Sequence, residues 1–90
     1  MTIPTQSDIG VPLLKLLSNE ELLHYNEIEE KLLEIFELDE EEQNFKKSSG
    51  YERLFHNRLR WSIFYLGKAG FVYRPRKGHV KISEEGIQVL

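Results

Sequence analysis

The chain has 90 residues and no cysteine, is 40% hydrophobic and 30% charged, and carries a formal net charge of -3. This length supports one domain around one core and is too short for most complete enzymes. Without cysteine there is no disulfide framework, thiolate metal site or cysteine nucleophile, which fits a reducing compartment. The apolar runs are far shorter than the ~20 residues of a membrane span. We therefore predict a cytoplasmic protein without a membrane partner.

The charges are distributed unevenly along the chain. Residues 1–45 carry two basic and twelve acidic side chains, a net charge of -10. Residues 46–90 carry ten basic and three acidic side chains, a net charge of +7. A basic half of this kind favours binding to a polyanion, although the mildly acidic total weakens the case for non-specific nucleic-acid binding.

The N-terminal segment predicts a loose arm followed by a helix. Residues 1–6 show no periodicity and form the arm, and Ser7 or Asp8 is the predicted helix cap. Because Pro12 lacks an amide donor, the regular helix is expected to begin only at about Val11. The apolar residues have the spacing of one helical face: Ile9, Leu13, Leu16 and Leu17.

A short strand and an acidic helix are predicted next. Residues 18–21 form a polar break, and residues 22–25 form a lone strand or an extended lead-in. Asn26 and Glu29 have capping-box spacing, which starts a second helix with apolar residues on one face. We interpret its acidic opposite side as solvated surface, with contact to a basic partner or to the rest of the parent protein as the alternative. That side consists of Glu27, Glu30, Glu34 and Glu37.

A longer helix in the basic half is expected after a short helical turn at residues 39–42 and a loop at residues 46–50. It starts between Glu52 and His56 and ends before Gly70. Its predicted core face consists of Phe55, Leu59, Trp61, Ser62, Tyr65, Leu66 and Ala69. Ile63 falls outside this face, and the other side presents Arg53, His56, Asn57, Arg60 and Phe64.

A hairpin and a short last helix complete the pattern. Residues 71–74 and 79–82 alternate as strands do, and the turn between them contains Gly78. Val80 and Ile82 are predicted to face the core, with His79 and Lys81 outside. A last helix begins after a serine cap at residue 83. Its apolar pattern stops at residue 90, where we expect a boundary inside a longer protein.

This order of elements is that of a winged helix-turn-helix, so we predict a mainly α-helical fold with a small β-hairpin. In such folds the second-to-last helix enters the major groove and the hairpin, or wing, lies along the backbone or minor groove. We place the recognition helix near residues 53–69 and the basic wing at residues 71–82. The candidate DNA-binding residues are Arg53, His56, Asn57, Arg60, Phe64, Arg74, Arg76, Lys77 and Lys81.

Each predicted role of these residues has a structural alternative. The basic residues would position the domain on phosphates, while Asn57, Arg60 or His56 would reach base edges. Asn57 alternatively caps the helix. Phe64 alternatively makes a dimer contact or lies at the edge of the core. Arg58 pairs with a glutamate of the second helix or contacts a phosphate. Trp61 is expected in the core rather than as a stacking platform. The three histidines lack metal-ligand spacing, so no metal is predicted.

Three segments of the basic half carry specific motifs. They are Phe55-His56-Asn57-Arg58-Leu59-Arg60-Trp61-Ser62, then Leu66 with Ala69-Gly70-Phe71, and Ile82-Ser83-Glu84-Glu85-Gly86. These motifs resemble the N-terminal domain of Mrr-type restriction endonucleases, and the likeness covers nearly the whole chain. That family has an Asn-Arg-x-x-Trp-Ala pattern, a Leu-x-x-Ala-Gly-Leu step and a closing Thr-x-x-Gly. Ser62, Ser83 and His79 depart from it, standing where alanine, threonine and an aromatic residue are usual.

The resemblance implies a domain that targets a nuclease to modified, typically methylated, foreign double-stranded DNA in a bacterial defence system. The nuclease, with its Mg²⁺, belongs to a separate C-terminal domain that these residues do not contain, so this domain needs no cofactor. The nearest match to its acidic motif, Asp8 with Glu29-Glu30-Lys31, puts the motif on a predicted helix, and we reject it.

Two other functions remain as alternatives. A winged helix that binds proteins is favoured by the net acidity and by Phe64 and Ile63, which lie outside the predicted core face. A stand-alone transcription regulator is the other alternative, and the abrupt end at residue 90 argues against it. The sequence leaves open whether the domain is a monomer or a homodimer.

Overall fold

The computed structural model describes residues 3–19, 22–47, 50 and 52–90. The described residues form a mainly helical chain with a small antiparallel sheet, which confirms the predicted winged-helix fold class. The predicted polar break and loop lie partly outside the described residues. The elements are α1 (Gln6–Leu17), β1 (Leu23–His24), α2 (Tyr25–Ile35), α3 (Glu40–Asn44), α4 (Leu54–Lys68), β2 (Val72–Tyr73), β3 (His79–Ile82) and α5 (Glu84–Gln88).

The three strands pair in the order β1-β3-β2, both pairs antiparallel. The predicted lone strand is therefore an edge of the sheet, with Leu23 opposite Val80. Val72 lies opposite Ile82, and all four of these side chains are buried. The predicted inward face of β3 is confirmed because Val80 and Ile82 alternate with two partly exposed residues.

Helices α1 and α2 begin earlier than the sequence predicts. Thr5 caps α1 in a capping box with Asp8, and the buried Ile9 anchors the first turn. These contacts offset the missing amide of Pro12, which lies inside the helix, so the predicted start near residue 11 and the predicted caps are wrong. His24 caps α2 in place of Asn26, accepting a hydrogen bond from the Asn26 amide at 3.0 Å.

The cap of α1 gives a stability prediction. Thr5→Ala removes the Oγ1 acceptor that lies 3.2 Å from the Asp8 amide, and is expected to cost about 1 kcal/mol. Ser7→Ala is the matched control, because Ser7 lies exposed inside the helix and should change stability by less than about 0.5 kcal/mol. Urea unfolding monitored by circular dichroism measures both variants. A larger loss for Ser7→Ala would contradict this cap assignment.

The buried stripe of α4 is narrower than predicted and shifted around the helix. Phe55, Leu59, Ser62 and Ile63 are buried, with Ile63 only 3% exposed, so the placement of Ile63 outside the core is wrong. Trp61 and Tyr65 are 46% and 49% exposed, so their placement in the core is also wrong. Ala69, at the C-cap of α4, is exposed as well. Helix α1 packs against the stripe and leaves the flanking aromatic rings uncovered.

The described part of the predicted loose arm is attached to α4. Pro4 is buried and Ile3 packs against the core. The Arg58 guanidinium donates hydrogen bonds to the carbonyl oxygens of Ile3 at 2.9 Å and Pro4 at 3.2 Å. Arg58 therefore anchors the arm, and its predicted pairing with a glutamate of the second helix is wrong. The first two residues of the arm lie outside the described residues.

Candidate nucleic-acid interface

The predicted site residues lie on two neighbouring elements. Arg53 is the N-cap of α4, and His56, Asn57, Arg60 and Phe64 lie within that helix. The other four lie on the hairpin formed by β2, β3 and the turn between them, which we call the wing: Arg74, Arg76, Lys77 and Lys81. Helix and wing are consecutive in the chain, and both belong to the basic half of the sequence.

Glu29 of α2 holds the start of α4. Its carboxylate lies 2.6 Å from the Arg53 guanidinium and 2.6 Å from His56 Nδ1, and its side chain is only 12% exposed. These contacts join residues more than 20 positions apart in the sequence. Two of the predicted DNA contacts, Arg53 and His56, therefore also fix the angle between α2 and α4.

Glu52, which lies just before α4, accepts hydrogen bonds from two further candidate DNA-binding residues. Asn57 Nδ2 donates to Glu52 Oε1 at 2.8 Å, and Arg60 Nη1 donates to Glu52 Oε2 at 2.8 Å. The hydrogen bond from Asn57, reinforced by Arg60, holds the pKa of Glu52 below its ordinary value, so Glu52 is ionised at neutral pH. Asn57 is not a helix cap, because Arg53 occupies that position.

The wing cations differ from those of α4. Arg74, Arg76 and Lys77 are exposed. Arg74 donates to the Tyr25 hydroxyl at 3.1 Å, and Arg76 lies 3.4 Å from His79 Nε2. Across the part of the chain that the structure describes, no carboxylate lies within 4.0 Å of these three side chains or of Lys81. Within the described ranges, the wing therefore presents positive charge with no carboxylate in ion-pair distance.

Three aromatic rings cluster on the exposed side of α4. Trp61 lies 5.6 Å from Phe64 and 5.9 Å from Tyr65, measured between ring centroids. Phe64 is 46% exposed, as the sequence predicts, and Lys68 Nζ lies 5.6 Å from the centre of its ring. The three rings have i, i+3 and i+4 spacing, which brings side chains together on one face of a helix. This spacing is the sequence signal that Trp61 and Tyr65 lie beside Phe64.

A cavity of about 470 Å³ separates α4 from the end of β2 and the start of α2. It brings together four of the predicted site residues, Asn57, Arg60, Phe64 and Arg74. The remaining lining residues are ones that the sequence analysis did not assign to the site: Tyr25, Lys47, Glu52, Trp61 and Ile63. Neither Arg76 nor Lys77 of the wing turn lines it.

Within residues 3–19, 22–47, 50 and 52–90, no three His, Asp or Glu side chains come together as a metal site would require. Every helix in these ranges is too short or too polar to cross a membrane.

Comparison with known proteins identifies the family. Neither the curated proteins nor the solved structures include a match to this chain. The family model of the Mrr N-terminal domain matches residues 7–90, from the first turn of α1 to the end of α5 and beyond. This range includes α4, the wing and the Asn57-Arg58-x-x-Trp61 motif. The chain therefore belongs to the Mrr N-terminal domain family.

Proposed function

We propose that residues 1–90 form one DNA-binding domain that targets an Mrr-type restriction system to double-stranded DNA. Membership of the Mrr N-terminal domain family supports the association with restriction. The observation that carries the proposal is the set of wing cations that have no carboxylate within 4.0 Å among the described residues, one of which, Arg74, lines the same cavity as Asn57 and Arg60 of α4. An unneutralised basic surface next to a helix is the electrostatic footprint expected of a duplex-binding winged helix.

In this proposal the wing and α4 have different tasks. Arg74, Arg76, Lys77 and Lys81 contact phosphates and hold the domain on any duplex. Asn57 and Arg60 face the base edges, where an amide or a guanidinium distinguishes base pairs. Both donate hydrogen bonds to Glu52. To contact a base, each must break that hydrogen bond or donate to Glu52 and to the base at the same time. Arg53 and His56 approach the backbone while remaining tied to Glu29.

The chemistry belongs elsewhere in this proposal. DNA cleavage is assigned to a separate C-terminal nuclease domain that uses Mg²⁺, and the present domain supplies binding without a cofactor. The targets are duplexes that carry modified, typically methylated, bases in the bacterial cytoplasm. A homodimer would let two such domains bind one target.

A salt titration tests the proposal. If the four wing cations each neutralise one phosphate, the logarithm of the binding constant should fall with the logarithm of salt concentration at a slope of about -3.6. Fluorescence anisotropy of a labelled short duplex measures this between about 50 and 300 mM salt. Absence of duplex binding at the lowest salt would refute DNA binding. That result would favour the protein-binding alternative, whose supporting observation is the exposed ring cluster of Trp61, Phe64 and Tyr65.

A further inference from the structure

The cavity between α4, the end of β2 and the start of α2 has the chemistry of a nucleotide site. We propose that it receives one nucleotide that has left the base stack of the bound duplex, with preference for a base that carries an exocyclic amino group. This inference rests on the proposed function, because the nucleotide comes from the DNA that α4 and the wing hold.

The walls of the cavity are aromatic. Tyr25, Trp61 and Phe64 line it, and the last two leave nearly half of their surface exposed. A planar base stacks on such rings whatever its identity, with a contribution of about 1–3 kcal/mol per base. The volume of about 470 Å³ lies within the range of about 300–1,000 Å³ that is usual for small-molecule sites.

The polar groups of the cavity fit a base with an amino group. Glu52 is an ionised carboxylate that accepts hydrogen bonds only, and carboxylates pair with the amino group of cytosine. Asn57 lies in the same wall, with its amide oriented by the bond to Glu52. Thymine has no amino group, and its N3–H donor lies between two carbonyl oxygens that a carboxylate repels, so Glu52 disfavours thymine relative to cytosine.

The charged groups of the cavity fit the phosphates that flank such a base. Lys47 and Arg74 line it as cations for these phosphates, while Arg60, which donates to Glu52 at 2.8 Å, offsets that carboxylate. The bond from Arg74 to the Tyr25 hydroxyl positions that guanidinium beside an aromatic wall. The cavity therefore combines aromatic surface for the base, an acceptor for its amino group and cations for the flanking phosphates.

Bulged duplexes test the inference. Moving a base out of the stack costs a few kcal/mol of free energy, and this cost is smallest for an unpaired base. The 90-residue chain is titrated with a fully paired duplex and with duplexes that carry one bulged cytosine, one bulged thymine or one bulged abasic nucleotide. Trp61 is the only tryptophan, so its fluorescence reports on the cavity. We expect the cytosine bulge to bind at least about tenfold more tightly than the paired and abasic duplexes and to quench Trp61.

Two variants and a matched control locate the effect. Phe64→Ala should remove most of the preference for the cytosine bulge over the abasic bulge. Tyr65→Ala should leave that preference unchanged, because Tyr65 belongs to the same ring cluster and is equally exposed but does not line the cavity. Glu52→Gln should reduce the preference for cytosine over thymine at least about threefold, because the carboxylate acceptor is lost.

The possible results separate this inference from the proposed function. Equal affinity for all four duplexes would overturn the nucleotide site while leaving the DNA-binding function intact. A preference that survives Phe64→Ala would overturn it in the same way. Failure to bind any duplex would overturn the proposed function, and the nucleotide site with it.

Discussion

Replacing Gly86 with alanine is expected to destabilise the domain by about 3 kcal/mol, the upper end of the usual cost of overpacking. A Cβ at this position would overlap the Phe71 carbonyl oxygen and would lie 2.7 Å from Ile82 Cγ1. The carbonyl cannot move freely, because it accepts a hydrogen bond from the Ser83 amide at 2.9 Å. For a domain of this size the midpoint of thermal unfolding should fall by roughly 12–24 °C.

Gly10→Ala is the matched control for Gly86→Ala. Both glycines lie inside helices, but in the described part of the chain a Cβ at Gly10 would meet nothing within 4 Å beyond its chain neighbours and its own helix backbone. Helix propensity alone then applies, and Gly10→Ala should raise stability by up to about 1 kcal/mol. Differential scanning calorimetry of both variants measures the contrast. An unfolding midpoint for Gly86→Ala at or above that of the parent chain would show that α5 does not pack against Phe71 as described.

This contact also has a consequence for the wing. Helix α5 follows β3 directly, and its cap Ser83 donates from Oγ to the Gly70 carbonyl oxygen at 2.5 Å. Gly86 allows α5 to lie against Phe71, which connects α4 to β2. The close approach thus fixes the base of the wing to the end of α4. The glycine at the end of the Ser83-x-x-Gly86 motif therefore has a packing role.

Reversing the charge of the wing turn is expected to have the largest effect on DNA binding. Arg76 and Lys77 are exposed, so Arg76→Glu with Lys77→Glu should leave the fold intact while removing two phosphate contacts. At about 0.1 M salt, the loss of two contacts lowers affinity about 60-fold, and the salt slope falls from about -3.6 to about -1.8. Anisotropy titrations with two unrelated duplex sequences should show the same loss for both.

Lys15→Glu with Lys31→Glu controls for overall charge. These substitutions change the net charge by the same amount as the wing variant does. They lie on α1 and α2, where both side chains are exposed. We expect less than about a threefold loss of affinity, because screened charges outside the contact surface contribute little. A loss as large as that of the wing variant would mean that net charge, and not the wing, governs binding. A wing effect confined to one of the two sequences would refute the assignment of Arg76 and Lys77 to the backbone.

The elements were predicted well where the signal is local. The turn at Gly78 follows from a glycine between two alternating segments, and its φ of 77° is a conformation that other residues rarely adopt. The serine cap of α5 and the end of α4 before Gly70 follow from equally short patterns. Helix starts were predicted less well, because Thr5 and His24 compete with nearby residues of similar capping ability.

The sequence predicted on which elements the candidate residues lie, but not which residues they contact. The nine predicted residues do lie on α4 and the wing, since both elements and their charges are visible in the sequence. Glu29 and Glu52 were missed as partners of these residues. A glutamate among thirteen gives no local sign that it will meet Arg53 or Arg60.

The sequence by itself determined the fold class, the order of elements, the wing turn and the concentration of positive charge in the second half. These follow from periodicity, turn residues and composition, which act over a few positions along the chain. Only the tertiary structure decided that Ile63 is buried while Trp61 and Tyr65 are exposed. It also decided that Gly86 meets the Phe71 backbone. The physical reason is that burial and pairing depend on which stripe of α4 faces α1 and α2, and that packing joins residues distant in sequence.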